Sequence, residues 1–309
     1  MAPVAPGLYW RVIYERGPSE PIGIAGSGKL AQAIGRLLRE RGEPVVCIAG
    51  RDPFRTRLAA EFIGDGVEPA GLAELPGRAS RLLIAVSDSA LHDVAEALAA
   101  GVSGTGLALH TCGAKDIEEL APLRLRGFSC GTLHPLQTIC SPEQGVAALR
   151  GAAFAVSGDG PGVEWAERIV ELLGGRTLRI RPEARPLYHA AAAMASNYVA
   201  ALLDAAQSLL ATAAGEDGDS ALRALGPLVR TAVDNILERG PVAALTGPIE
   251  RGDAGTVRLH LDALASVSPV IRDLYCAAGL QALDMARRKG LAAGAADRTE
   301  ALLRRNGNR

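Results

Sequence analysis

The sequence predicts the α/β class: a mostly parallel sheet followed by an all-helical second domain. Two observations carry this. Up to Ile180, short apolar runs of β type alternate with helical patterns, an order that gives parallel strands joined by crossover helices. From Pro182 onward, Ala/Leu-rich helical stretches replace the strands. The expected division is residues 1–181 and residues 182–309.

Strands are expected at residues 21–25, 45–49, 81–86, 106–110, 128–133, 152–156 and 176–180. Helical patterns fill the spaces at 29–41, 89–100 and 163–173. In the second half the helical stretches are 186–214, 220–239, 255–265 and 269–289. Gly226-Pro227 is expected to interrupt the second of these, with Pro227 opening a new helix. Ser268-Pro269 reads as a cap followed by proline at the first helical position. Gly290 suits a helix C-terminus, and residues 307–309 are expected to fray.

Composition narrows the function classes. The chain has 309 residues, 48% apolar and 22% charged, with net charge -1. The length suits about two domains. The charge balance argues against a nucleic-acid binder, and 4% aromatic content leaves no base-stacking platform. No apolar run approaches the roughly 18 residues of a membrane span, and the first twenty residues lack the apolar core of a signal peptide. Five scattered cysteines without a C-x-x-C read as reduced thiols of a cytoplasmic protein. No metal site is expected.

The most informative local motif is G-x-G-x-x-A, formed by Gly26, Gly28 and Ala31 between an apolar strand and a helix. That context marks dinucleotide binding. Gly26 permits the tight turn, Gly28 lets the backbone approach a pyrophosphate, and Ala31 allows close helix–strand packing. Ser27, Lys29 and Leu30 complete the cofactor-contacting run, at a helix N-terminus that favours the anion. The second strand ends at Gly50-Arg51-Asp52, with Arg55 and Arg57 close behind. Arg51 matches a 2′-phosphate, so NADP(H) is expected over NAD(H), which Asp52 leaves open. Val86, Ser87 and Asp88, and then Thr111, Cys112 and Gly113, lie just past later strand ends, where open α/β sheets bind ligands. They either line the ribose and nicotinamide region or, for Ser87 and Asp88, cap the next helix. Cys112 is either a reactive thiol there or a small buried cysteine.

Residues able to move protons come next. No histidine has metal-ligand spacing. His92 lies in a helical run and His110 ends a strand. His134 follows a strand, with Gln137 close behind, and either meets a ligand or bonds loop backbone. His189 opens the helix expected over 188–214; Ser196 then falls nearly below it, with Asn197 beside Ser196. This stripe is either a buried polar seam or a site wall. As a site, His189 is the general acid/base, with His134 as the alternative. Ser196 and Asn197 would orient the substrate. Residues 240–253 are dense in turn formers and carry Thr246, Arg251 and Asp253 as candidate substrate contacts. Arg251 suits an anion, and Asp253 suits the cap of the next helix.

The runs IGIAGSGKLAQAIG, LLIAVSDSAL, LHTCGA, GTLHPLQT, RPLYHAAAAMASNYVAALL, DNILERGP and ALTGPIERGD with TVRLH stand in an order that resembles two-domain NADP-dependent reductases. Pyrroline-5-carboxylate reductase, ketopantoate reductase, the 6-phosphogluconate and 3-hydroxyisobutyrate dehydrogenases and deazaflavin-dependent NADP oxidoreductase are of this kind. The sequence more closely resembles an uncharacterised bacterial family with a Rossmann-like domain and a helical domain of unknown function. The resemblance implies a Rossmann-type, mostly parallel sheet, a helical domain that often dimerises, and a site in the cleft between them. It supplies no substrate; the leading expectation is an NADP(H)-dependent oxidoreductase acting on a small, anionic carbonyl, imine or hydroxyl compound. One departure stands out. If Asn197 matches the Asn of the two dehydrogenases, their Lys four residues earlier falls on Ala193. His189, one turn earlier, is the available substitute. The missing Lys also motivates an alternative, a non-catalytic NADP(H)-binding regulator or sensor. The segment from Thr246 to Thr256 corresponds to a Gly-rich substrate loop of pyrroline-5-carboxylate reductase, but the residues differ.

Overall fold

The computed structural model describes residues 20–306. The readings made for the N-terminal residues before Glu20 and for residues 307–309 lie outside them. Two compact units divide at Ser196/Asn197.

The first unit is built on an eight-stranded sheet of order β3-β2-β1-β4-β5-β6-β7-β8. The strands are β1 Ile22–Ala25, β2 Val45–Ala49, β3 Glu68–Ala70, β4 Arg81–Ile84, β5 Gly106–His110, β6 Phe128–Pro135, β7 Ala153–Gly158 and β8 Arg176–Arg179. Its helices are α1 Lys29–Glu40, α2 Pro53–Ile63, α3 Leu75–Arg78, α4 Leu91–Ala100, α5 Ala121–Arg124, α6 Pro142–Leu149, α7 Gly160–Leu172 and α8 Arg185–Ala195. All strand pairs are parallel except β6 with β7. The expected alternation is therefore present, with two differences. The short edge strand β3 was not expected; its sequence Glu-Pro-Ala carries no β signal. The segment through α6 also returns the chain antiparallel, so it is not a crossover.

Side chains alternate across the sheet as the pleat requires. Ile24, Ile48, Leu83 and Leu109 pack into one buried cluster with Ile34, Leu38 and Trp165. Cys47, Leu82, Ile84 and Ala108 face the opposite cluster, with Leu91, Leu98 and Leu120. Both faces are covered, so the central strands read as continuous apolar runs.

The expected helix over 188–214 is two helices. It breaks at Ser196, whose φ of -127° and ψ of -69° leave the helical region. The Ser196 hydroxyl donates to the Ala192 carbonyl at 2.9 Å, a back-bond that bends helices. The alanine-rich sequence around it contains no Gly or Pro to announce the break. Because α8 groups with the first unit, the contact division falls one helix later than the expected boundary after residue 181.

The second unit contains α9 Asn197–Ala214, α10 Gly218–Arg239, α11 Pro241–Ala244, α12 Ala254–Leu264, α13 Pro269–Arg288 and α14 Ala293–Asn306. The interruption expected at Gly226-Pro227 is absent: α10 runs through Pro227. Proline normally pushes its predecessor out of the α region by colliding with that residue's Cβ, and Gly226 has none. Ser268 caps α13 as expected, its hydroxyl accepting from the Ile271 amide. A small core joins Val257, Leu261, Cys276 and Leu303. By contrast, α9 buries no residue and α10 buries Ala221. Tyr198, Leu202, Leu228, Ile236 and Leu237 are exposed on these two helices. Among the described residues no single helix is long and apolar enough to cross a membrane, although the pair Pro182–Ala214 and Gly218–Arg239, bent by 115°, passes by length and composition.

Candidate functional site

Reversal of strand order between β1 and β4 opens a crevice at the carboxyl ends of the strands. A cavity of about 800 Å³ lies there, lined from the turn after β1 across the ends of β2, β4, β5 and β6 to α8.

The β1–α1 turn forms its floor. Gly26 has φ 110°, and a Cβ there would overlap the Ala85 carbonyl oxygen. Gly28 differs: its φ is -75°, and an added Cβ meets nothing within 4 Å. Packing of the chain does not require glycine at 28, which borders the cavity. No side chain caps α1 and no acidic residue occupies its first turn, so the positive end of the helix faces the cavity uncompensated. The Gln32 amide donates to the Ser27 carbonyl at 3.0 Å and braces the turn.

At the end of β2, Arg51 and Arg55 line the cavity. Among the described residues neither has a carboxylate within ion-pair distance. Asp52 is engaged otherwise: its Oδ1 accepts from the Phe54 and Arg55 amides and caps α2. After β4, Val86, Ser87 and Asp88 line the cavity. The capping alternative for Ser87 and Asp88 does not hold. The intervening 3-10 turn Asp88–Ala90 has no side-chain cap, and α4 starts at Leu91 with Ala90 at its N-cap.

The end of β5 is held by a buried histidine. His110 accepts the Cys112 amide on Nδ1 and donates from Nε2 to the Asp116 carbonyl, each at 3.2 Å. Burial, then the Arg185 guanidinium, push its pKa down to about 4. It stays neutral and shapes the Thr111–Gly113 turn. Burial, then the Asp88 carboxylate, push the Cys112 thiol well above its usual range. Cys112 is thus the buried cysteine of the two alternatives, not a reactive thiolate.

Two imidazoles meet at Gly113. A Cβ on Gly113 would lie 2.8 Å from His134 Nε2 and would overlap His189 Nδ1. The rings stand edge to face with centroids 5.7 Å apart. His134 lies inside β6, opposite Ala155, not beyond the strand end. Its Nδ1 is 2.7 Å from the Tyr188 hydroxyl. Burial, then His189 and Arg185, lower the His134 pKa to about 4. His189 Nδ1 is buried without a hydrogen-bond partner.

Neither Arg185 nor Tyr188 was singled out from the sequence. Arg185 is fully buried. Its Nη1 donates to Thr132 Oγ1 at 2.9 Å and Ser157 Oγ at 3.0 Å, and its Nη2 to the Cys112 carbonyl at 3.0 Å. The available signal was spacing: Arg185, Tyr188 and His189 stand at i, i+3 and i+4, one helix face.

The structure brings Gly26, Ser27, Gly28, Lys29, Leu30, Arg51, Val86, Ser87, Asp88, Thr111, Cys112, Gly113, His134 and His189 to one cavity. Ala31 is buried behind the turn, as its packing role requires. Gln137 is not at the cavity; its amide donates to the Ala148 carbonyl and its oxygen accepts the Thr138 amide. Ser196 does not continue the His189 stripe, because the helix breaks there. Asn197, Thr246, Arg251 and Asp253 belong to the second unit. Asp253 caps α12 as expected, accepting the Thr256 amide at 3.0 Å. Among the described residues no group of three or more His, Cys, Asp or Glu is placed to hold a metal ion.

Residues 15–135 match a Rossmann-like domain model, and residues 152–282 match a domain of unknown function, DUF2520. The DUF2520 match begins just before β7, so it takes in the last two strands as well as helices. A glycerol-3-phosphate dehydrogenase [NAD(P)+] of Rhizobium etli is 27% identical over 175 residues, 52% of this chain and 53% of that protein. The chain spans about half the length of the curated relatives it matches. A candidate NADP oxidoreductase from Bacteroides fragilis has a similar structure, with TM-score 0.72, 22% identity and coverage of 86% of this chain and 99% of that one. A 1-pyrroline-5-carboxylate reductase from Streptococcus pyogenes aligns with TM-score 0.55, 17% identity and coverage of 95% and 100%. The fold is that of the NADP-type oxidoreductases.

Proposed function

We propose that this chain is an NADP(H)-dependent oxidoreductase acting on a small, anionic carbonyl, imine or hydroxyl compound. One observation carries the reading. The space in front of Gly28 and the paired imidazoles at Gly113 belong to the same cavity. A dinucleotide fits the residues at one end, and a proton-handling pair stands at the other.

The turn from Gly26 to Lys29 and the N-terminus of α1 would hold the pyrophosphate. Arg51 and Arg55 would hold the 2′-phosphate. Two arginines without a carboxylate partner among the described residues, beside an Asp52 whose Oδ1 caps α2, favour NADP(H). Val86, Ser87, Asp88 and Thr111 would flank the ribose and nicotinamide. When bound, NADPH supplies a hydride. The chain supplies orientation and a proton: the carbonyl or imine carbon takes the hydride while its oxygen or nitrogen takes a proton from the His189 or His134 side. The roles of Asn197, Thr246, Arg251 and Asp253 toward a substrate rest on the sequence alone.

Calorimetric titration tests the cofactor half. NADPH should bind more tightly than NADH, and Arg51→Ala should weaken NADPH about tenfold, the worth of one charge-assisted hydrogen bond, without changing NADH. Equal affinities would remove the NADP preference. No binding of either dinucleotide would overturn the reading and leave a partner-binding protein to be sought.

The proposal includes a cytoplasmic homodimer through the helical unit. The exposed apolar side chains of α9 and α10 support it, since monomers rarely leave such patches open. Light scattering should give twice the chain mass; a strict monomer at high concentration would sink this part.

A further inference from the structure

We propose that Tyr188 is a positioning residue: its hydroxyl fixes His134 as the Nε2–H tautomer, so that His134 presents a permanent hydrogen-bond donor to the substrate heteroatom beside Gly113. The substrate half of this inference rests on the oxidoreductase reading above; the tautomer half does not.

The geometry begins with Arg185. Its bonds to Thr132, Ser157 and the Cys112 carbonyl tie the first turn of α8 to β6, β7 and the β5 turn. Tyr188 follows one turn later on the same face, so its ring has little freedom. It stands edge-on to His134, with centroids 5.5 Å apart and an interplanar angle of 88°. The hydroxyl reaches Nδ1 at 2.7 Å.

A neutral imidazole carries one N–H, and the bond at one nitrogen decides which nitrogen holds it. Burial pushes the Tyr188 hydroxyl up to about 12, so the phenol keeps its proton. No second acceptor for that proton stands among the described residues. A donating O–H makes Nδ1 the acceptor and puts the ring proton on Nε2. That nitrogen faces Gly113, where the missing side chain leaves room. On the other side of the same gap stands His189 Nδ1, buried and without a partner. One polar substrate atom placed there meets a fixed donor from His134. His189 Nδ1 meets the same atom from the other side.

Nitrogen-15 NMR of histidine-labelled full-length protein tests this without any turnover. His134→Gln assigns the His134 signals. The wild type should show His134 with a protonated Nε2 and an unprotonated, hydrogen-bonded Nδ1. Tyr188→Phe should release that preference by roughly 2- to 12-fold, the worth of one hydrogen bond, and yield a tautomer mixture with NADPH affinity unchanged. An Nδ1–H tautomer in the wild type overturns the proposal, and so does a His134 spectrum indifferent to Tyr188→Phe. If Tyr188→Phe does not fold, the wild-type tautomer still decides. Failure of the oxidoreductase reading shows separately, as no NADPH binding by the wild type, and it would overturn the substrate role while the tautomer result stands.

Discussion

Gly28→Glu should abolish NADPH binding while leaving the fold intact. The backbone at 28 is ordinary, with φ -75°, and a Cβ there touches nothing within 4 Å. The folded chain therefore tolerates a side chain. A ligand in front of α1 does not: the carboxylate enters the space meant for the pyrophosphate and sets like charge against like. Such juxtaposition costs several kcal/mol, so affinity should fall about 100-fold or more. Calorimetry measures the affinity and a thermal melt the fold. Gly26→Ala makes the contrast. At φ 110°, with a Cβ overlapping the Ala85 carbonyl, it should damage the β1–β4 junction itself and lower the melting temperature. Unchanged NADPH affinity in Gly28→Glu would refute the proposed place of the cofactor.

The first unit should lose about 3 kcal/mol of stability between pH 6.5 and pH 4 through His110 alone. The folded pKa is lowered from 6.5 to about 4, so the folded state keeps the imidazole neutral while the unfolded chain takes up a proton. Across that window the unfolded state binds more protons, and stability rises with pH. The contribution is complete above 6.5 and is lost as pH falls toward 4. His134, lowered to about 4 as well, adds in the same direction. Urea melts of a Trp10→Phe variant, followed by the fluorescence of Trp165, which lies in α7 against the sheet, report this unit. His110→Asn should be less stable at pH 7 but should flatten the slope between 6.5 and 4. An unchanged slope would mean that other groups carry the acid sensitivity.

Local signals determined much of this molecule from the sequence alone. Short continuous apolar runs between helical patterns marked the strands, because helices cover both faces of the sheet, and the β1–α1 glycines mark a turn whose geometry needs only its own few residues. Asp253 and Ser268 were legible as caps for the same reason: the donors they satisfy lie within three positions. The glycine turn and the strand ends that border the cavity could therefore be read directly. Its proton-handling end was read in part. His134 and His189 were in view, but their meeting at Gly113 depends on chain segments brought together only by the fold. Tyr188 reaches His134 across 54 positions of sequence, a pairing no local pattern encodes. Arg185 is fully buried, where oxygens of Thr132, Ser157 and Cys112 converge from separate strands and turns to accept from its guanidinium. The break at Ser196 and the intact helix through Pro227 run against local propensity in opposite directions. Ser196, bonded back to the Ala192 carbonyl, stands at the first, and Gly226, which has no Cβ to meet the proline ring, precedes Pro227 in the second. Propensity weighs neighbours within a turn or two, whereas tertiary packing decides which polar groups find partners and hence which residues a site can use.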